Sequence, residues 1–91
     1  MQAVWKYTLG MGENRLSMPG EIEPLSIGFQ DEKLCLWCLV QPTATIYFHY
    51  FFAAATGQSL PTERLGSYVG TAQLDWFVVH VFEISGPILP E

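Results

Sequence analysis

Alternation of apolar and polar residues dominates the chain. Over Ala3–Leu9, Trp5, Tyr7 and Leu9 fall on one side and Lys6 and Thr8 on the other, the period-two signature of a strand. Gly10 and Gly12 interrupt it. A shorter strand follows over Asn14–Met18, closed by the turn pair Pro19-Gly20, and Glu21–Pro24 reads as a polar connection. Leu25–Gln30 alternates again, with Leu25, Ile27 and Phe29 inward and Ser26, Gly28 and Gln30 outward. The charged turn Asp31-Glu32-Lys33 leads into the near-continuous apolar run Leu34–Val40, so these two segments form a hairpin.

The densest stretch is Thr45–Ala55, TIYFHYFFAAA. Its Tyr and Phe content fits a strand rather than a helix. Ile46, Phe48, Tyr50, Phe52 and Ala54 then make one face and Thr45, Tyr47, His49, Phe51 and Ala53 the other. Both faces are apolar, which predicts a central strand, or one whose second face meets another subunit. Gly57–Gly66 is the longest polar interruption and accommodates at most one short helical turn near 61–66, with Thr62 as its cap after Pro61. Tyr68–Leu74 and Phe77–Ile84 are the last two strands, joined tightly at Asp75. The tail, 85–91, carries Pro87 and Pro90 and reads as irregular. The expectation is all-β: a single domain, 1–91, of about seven short antiparallel strands in a small meander, sandwich or barrel.

Composition adds a partner question. Of 91 residues, 49% are apolar and only 14% charged, against about 25% charged in ordinary domains. A small domain with so few charges is expected to hide part of its exterior against a second copy. The net charge is −5, and the four cations Lys6, Arg15, Lys33 and Arg64 are scattered. That argues against duplex nucleic acid as a partner, because backbone binding rests on clustered Lys and Arg. A small phosphorylated ligand needs only one or two cations. The start, MQAVWKYTLG, lacks a basic segment followed by a long apolar one, and no apolar run is long enough for a membrane helix. A cytoplasmic location is expected.

Candidate chemistry is sparse. Cys35 and Cys38 have redox-motif spacing, yet they sit in a strand, where their side chains point to opposite faces; they read as core cysteines. His49 and His80 also lie in strands. If those strands pair, the imidazoles are placed to share a face, but no carboxylate is spaced to orient either ring, and Glu83 points away from His80. There is no nucleophile elbow, no phosphate-binding loop lysine and no convincing acid pair. No catalytic residue, metal site or cofactor is expected.

Several short pieces carry a resemblance: Trp5-Lys6, Met18-Pro19, the block Gln30–Val40 containing Leu34-Cys35-Leu36-Trp37, Pro42, Thr56-Gly57, Pro61, Tyr68-Val69-Gly70-Thr71 and His80-Val81-Phe82-Glu83. In that order and spacing the chain resembles a family of small uncharacterised proteins encoded by tailed phages and prophages. It departs from that pattern at Ile46–Phe52, where relatives carry charged residues. The resemblance implies a phage origin and brings no catalytic residues. A non-enzymatic phage domain of this size is expected to act against host defences in the host cytoplasm. One mode is an oligomeric sponge for a nucleotide immune signal, with Arg64 holding phosphate and Tyr47, His49, Tyr68 or Trp37 stacking on a base. The alternative is a protein-binding inhibitor of a host defence protein or a replication accessory factor, and a third is a small virion component.

Overall fold

The computed structural model describes residues 1–87. Seven strands appear in chain order: β1 Ala3–Thr8, β2 Gly12–Pro19, β3 Ile22–Gln30, β4 Lys33–Val40, β5 Ile46–Ala55, β6 Leu65–Leu74 and β7 Phe77–Ile84, with a 3-10 turn at Thr62–Arg64. They form a three-stranded sheet, β1-β4-β3, and a four-stranded sheet, β2-β5-β7-β6, and all pairings are antiparallel. The two sheets face each other across one core. Leu34, Leu36, Cys38 and Val40 from β4 meet Met18, Phe51, Ala53, Val79, Val81 and Ala72 from the other sheet. Alternation decides this. The even residues of β4 and the odd residues of β5 and β7 point inward, so their neighbours point to the outer faces.

The aromatic stretch is central, flanked by β2 on one side and β7 on the other. Cys35 and Cys38 lie on opposite faces of β4 and are both buried and unpaired. Cys38 is in the core. Cys35 is on the outer face, in the row between Thr8 and Gly28, and Lys6 and Gln30 join across the same sheet, Lys6 Nζ donating to Gln30 Oε1 at 2.6 Å.

Four expectations need correction. β2 begins at Gly12 and β3 at Ile22, so Glu21–Pro24 is mostly strand. Leu25 is exposed rather than inward, because the register slips between Pro24 and Ser26. Pro24 offers no N–H to a ladder, and a bulge there re-aims the next side chain. Thr62 does not cap the helical turn; Pro61 holds that position with no side-chain bond, and Thr62 Oγ1 donates to Leu60 O at 3.3 Å. Finally, β5 and β7 do pair, yet His49 points inward and His80 outward, since Ala54, not His49, stands opposite His80. Of the expected tail, Ser85–Pro87 lies outside any strand, and 88–91 fall outside the described residues.

The connection from β5 to β6 shapes the exterior. Both strands run antiparallel to β7, which lies between them, so they are parallel to each other and Thr56–Arg64 must cross a face of the sheet. It crosses the outer one. Leu60 shares a shallow cavity with Ala54, His80 and Phe82, all outward residues. Ala54 and Ile84 are buried although neither belongs to the core cluster.

The β3–β4 hairpin turns on Asp31 and Glu32, with φ of 52° and 65°. Two consecutive positive values belong to the tight turn that favours Asp-Gly or Asn-Gly. Glu32 therefore holds a conformation costly for an L-residue, and Glu32→Gly is expected to raise stability by about 0.5–1 kcal/mol, read as a higher urea midpoint.

Candidate functional site

The outer face of the four-stranded sheet carries the chemistry. Register sets out its rows: Arg15 of β2 opposite Tyr50 of β5 and then Ile84 of β7; Glu13 opposite Phe52, Phe82 and Tyr68; Ala54 opposite His80 and Thr71. Four aromatic side chains, Tyr50, Phe52, Phe82 and Tyr68, thus share one surface with Phe48. The rings of Tyr68 and Phe82 meet edge to face, 5.5 Å between centroids.

A hydroxyl–imidazole chain crosses this face. Thr56 Oγ1 lies 2.7 Å from His80 Nε2, Thr71 Oγ1 lies 3.0 Å from Nδ1, and Tyr68 Oη is hydrogen-bonded to Thr71 Oγ1. In a neutral ring one nitrogen donates and the other accepts, so the chain has two tautomeric arrangements. Among the described residues no carboxylate takes part, and a hydroxyl on each side holds the His80 ring in place. Thr56, Tyr68, Thr71 and His80 come from three of the separate motif pieces that carry the family resemblance, and they meet only here. Sequence reasoning missed Thr56 and Thr71, because only the register places Thr71 opposite His80.

Arg64 lies on the same face but is committed. Its Nε donates to Ser85 O at 3.0 Å and its Nη1 to Glu13 Oε1 at 2.7 Å, so the side chain spans from the end of β7 across β5 to edge strand β2. That hydrogen bond and charge hold the Glu13 carboxyl below its usual pKa and push Arg64 up in turn. Nη2 is enclosed without a partner among the described residues. Arg64 thus ties the crossover down to the sheet.

A different arginine is available. Arg15 stacks over Phe48, its guanidinium carbon 4.5 Å from the ring centroid, and no carboxylate pairs with it among the described residues. Beside it, β5 outruns β7: the ladder between them begins at Tyr50–Ile84, so residues 46–49 have no β7 partner. The resulting notch, about 320 Å³, is lined by Phe48, His49, Tyr50, Phe51, Glu83, Ile84 and Gly86. It stands at the lower limit of small-ligand sites.

The five residues singled out from sequence are therefore not gathered together. Arg64 and Tyr68 share the outer face, His49 lines the notch, and its Nε2 sits 3.0 Å from Pro19 O. Tyr47 projects at the strand's start, 60% exposed. Trp37 stands apart on the outer face of the other sheet, since β4 does not neighbour β5. Among the described residues no group of His, Cys, Asp and Glu is arranged to hold a metal ion, and no helix is long and apolar enough to cross a membrane.

Comparison with known proteins agrees with the resemblance to an uncharacterised family over nearly the whole chain. No curated protein and no solved structure matches it. One family profile matches residues 1–88, and on that extent the chain belongs to the family described as a domain of unknown function, DUF7352.

Proposed function

We propose that this is a non-enzymatic, phage-encoded binding protein that acts against a host defence in the host cytoplasm, as an oligomer that captures a small phosphorylated nucleotide. The observation that carries the reading is the notch at the end of β5, with the unpaired Arg15 beside it. A base fits against Phe48 and Tyr50, and Arg15 forks onto the phosphate. Arg64, first in line from sequence, is instead held by Glu13 and Ser85.

The test is a thermal-shift panel of linear and cyclic nucleotides. A true ligand at one hundred times its Kd stabilises by about 2.7 kcal/mol. Arg15→Ala is expected to abolish that shift while leaving the unliganded melting temperature nearly unchanged, as its side chain is exposed. A panel without any shift overturns the nucleotide reading.

A second reading, a protein-binding inhibitor of a host defence protein or a replication accessory factor, draws on one observation. Ile46, Tyr47 and Phe48 are consecutive and 54%, 60% and 55% exposed, an apolar cluster suited to a protein partner. It predicts that a host or phage protein co-purifies with the wild-type chain and is lost from Phe48→Asp.

A further inference from the structure

The two sheets have four edge strands, and three are guarded. β3 carries Pro24 and a register slip, and it packs against β6 so closely that a Cβ on Gly70 would stand 3.1 Å from Ile27 Cγ1. β6 breaks register twice, between Leu65 and Tyr68 and between Tyr68 and Gly70. β2 carries the charged Glu13 and Arg15, and its far end, Met18 and Pro19, is fully buried. Proline, bulges and charge are the usual means of keeping an edge from pairing with another chain.

β1 has neither proline nor bulge. Its ladder with β4 is unbroken from Ala3–Val40 to Thr8–Cys35, and it contains no proline, glycine or acid. Its one charge, Lys6, is drawn back over its own sheet to Gln30 and leaves the edge bare. Val4 and Trp5, in the middle of the strand, are 56% and 40% exposed.

We infer that β1 is a self-association edge, where two copies of the chain join antiparallel across a two-fold axis into one continuous six-stranded sheet, β3-β4-β1-β1-β4-β3. This supplies an interface for the oligomer proposed above and does not depend on the ligand. The strand itself selects a second copy. Directly opposed residues must come from the same sheet face, so only two registers overlap five of its six residues. One sets Lys6 against Lys6 of the copy, a like-charge contact. The other sets Trp5 against its counterpart, Val4 against Lys6 and Ala3 against Tyr7. There the aromatic rings pair across the seam and the lysine stem covers the exposed valine.

Sedimentation velocity over a micromolar to submillimolar range tests the association. The expected species has twice the mass of the 10.2 kDa chain, and Val4→Lys, with its fold checked by circular dichroism, returns it to monomer. Ile46→Lys, in the other sheet, leaves the dimer intact. Cysteine cross-linking tests the register without adding charge: Trp5→Cys is expected to form a disulfide-linked dimer under mild oxidation, and Thr8→Cys is not. A monomer throughout the range, a dimer indifferent to Val4→Lys, or efficient cross-linking through Thr8→Cys instead of Trp5→Cys each overturns the proposal.

Discussion

Phe51→Ala is expected to lower the folding free energy by about 3–5 kcal/mol, the usual cost of emptying a buried aromatic site. Phe51 is 1% exposed on the inner face of β5, and β5 is paired on both sides, so no edge can relax into the vacated volume. A chain of this length has roughly 5–14 kcal/mol in all, so the variant keeps at best a marginal fold. Phe52, one residue on, is half-buried on the outer face, and Phe52→Ala is expected to cost about 1–2 kcal/mol. Urea midpoints of the two variants decide the matter. Equal costs, or the reverse order, contradict the assignment of inner and outer faces to β5.

Alkaline pH should weaken the fold through a different core residue. Burial, reinforced by the Glu83 carboxylate, pushes the Cys38 thiol from 9.0 to about 11. The unfolded chain loses this proton near the lower value and the folded chain near the higher one. Between them the unfolded state binds fewer protons, so stability is fully present below about pH 9 and falls as pH rises toward about 11. The loss is on the order of 2–3 kcal/mol. Tyr7, raised by burial and by Cys38, adds to it in the same direction. A urea midpoint that is flat across this window refutes the assignment, and Cys38→Ala should lower stability yet flatten its pH dependence.

Local patterns wrote the strands. The alternation of Ala3–Leu9, the hairpin around Asp31-Glu32 and the two-faced aromatic stretch are visible because side-chain direction in a strand follows from sequence parity alone. Partner choice is not local. Nothing in Leu34–Val40 announces that it packs across from Thr45–Ala55 instead of beside it, so Trp37, grouped with Tyr47 and His49 as a stacking residue, stands on the other sheet. The histidines illustrate the same limit: parity fixes each face only once a register is known, and the register here matches His80 with Ala54. Side-chain contacts that cross the sheet are equally hidden from the sequence. Arg64 binds Glu13 because of a crossover that no spacing reveals, while Arg15 lies in a strand longer than the Asn14–Met18 that the sequence pattern marks. Extending that strand by parity to Gly12–Pro19 would have put Glu13, Arg15 and Ser17 on one side and drawn attention to it.

The position of β7 has a consequence for how the chain comes together. It follows six other strands in sequence, yet it sits inside the four-stranded sheet, between β5 and β6. A nascent chain that has emerged only as far as Leu74 has both flanking strands and nothing to join them, so it exposes Phe51 and the aromatic residues around it. That sheet is complete only when β7, joined to β6 by a tight turn, also pairs with the distant β5. Such non-local pairing makes folding slow and leaves chains stalled before Phe77 prone to capture by chaperones or by each other.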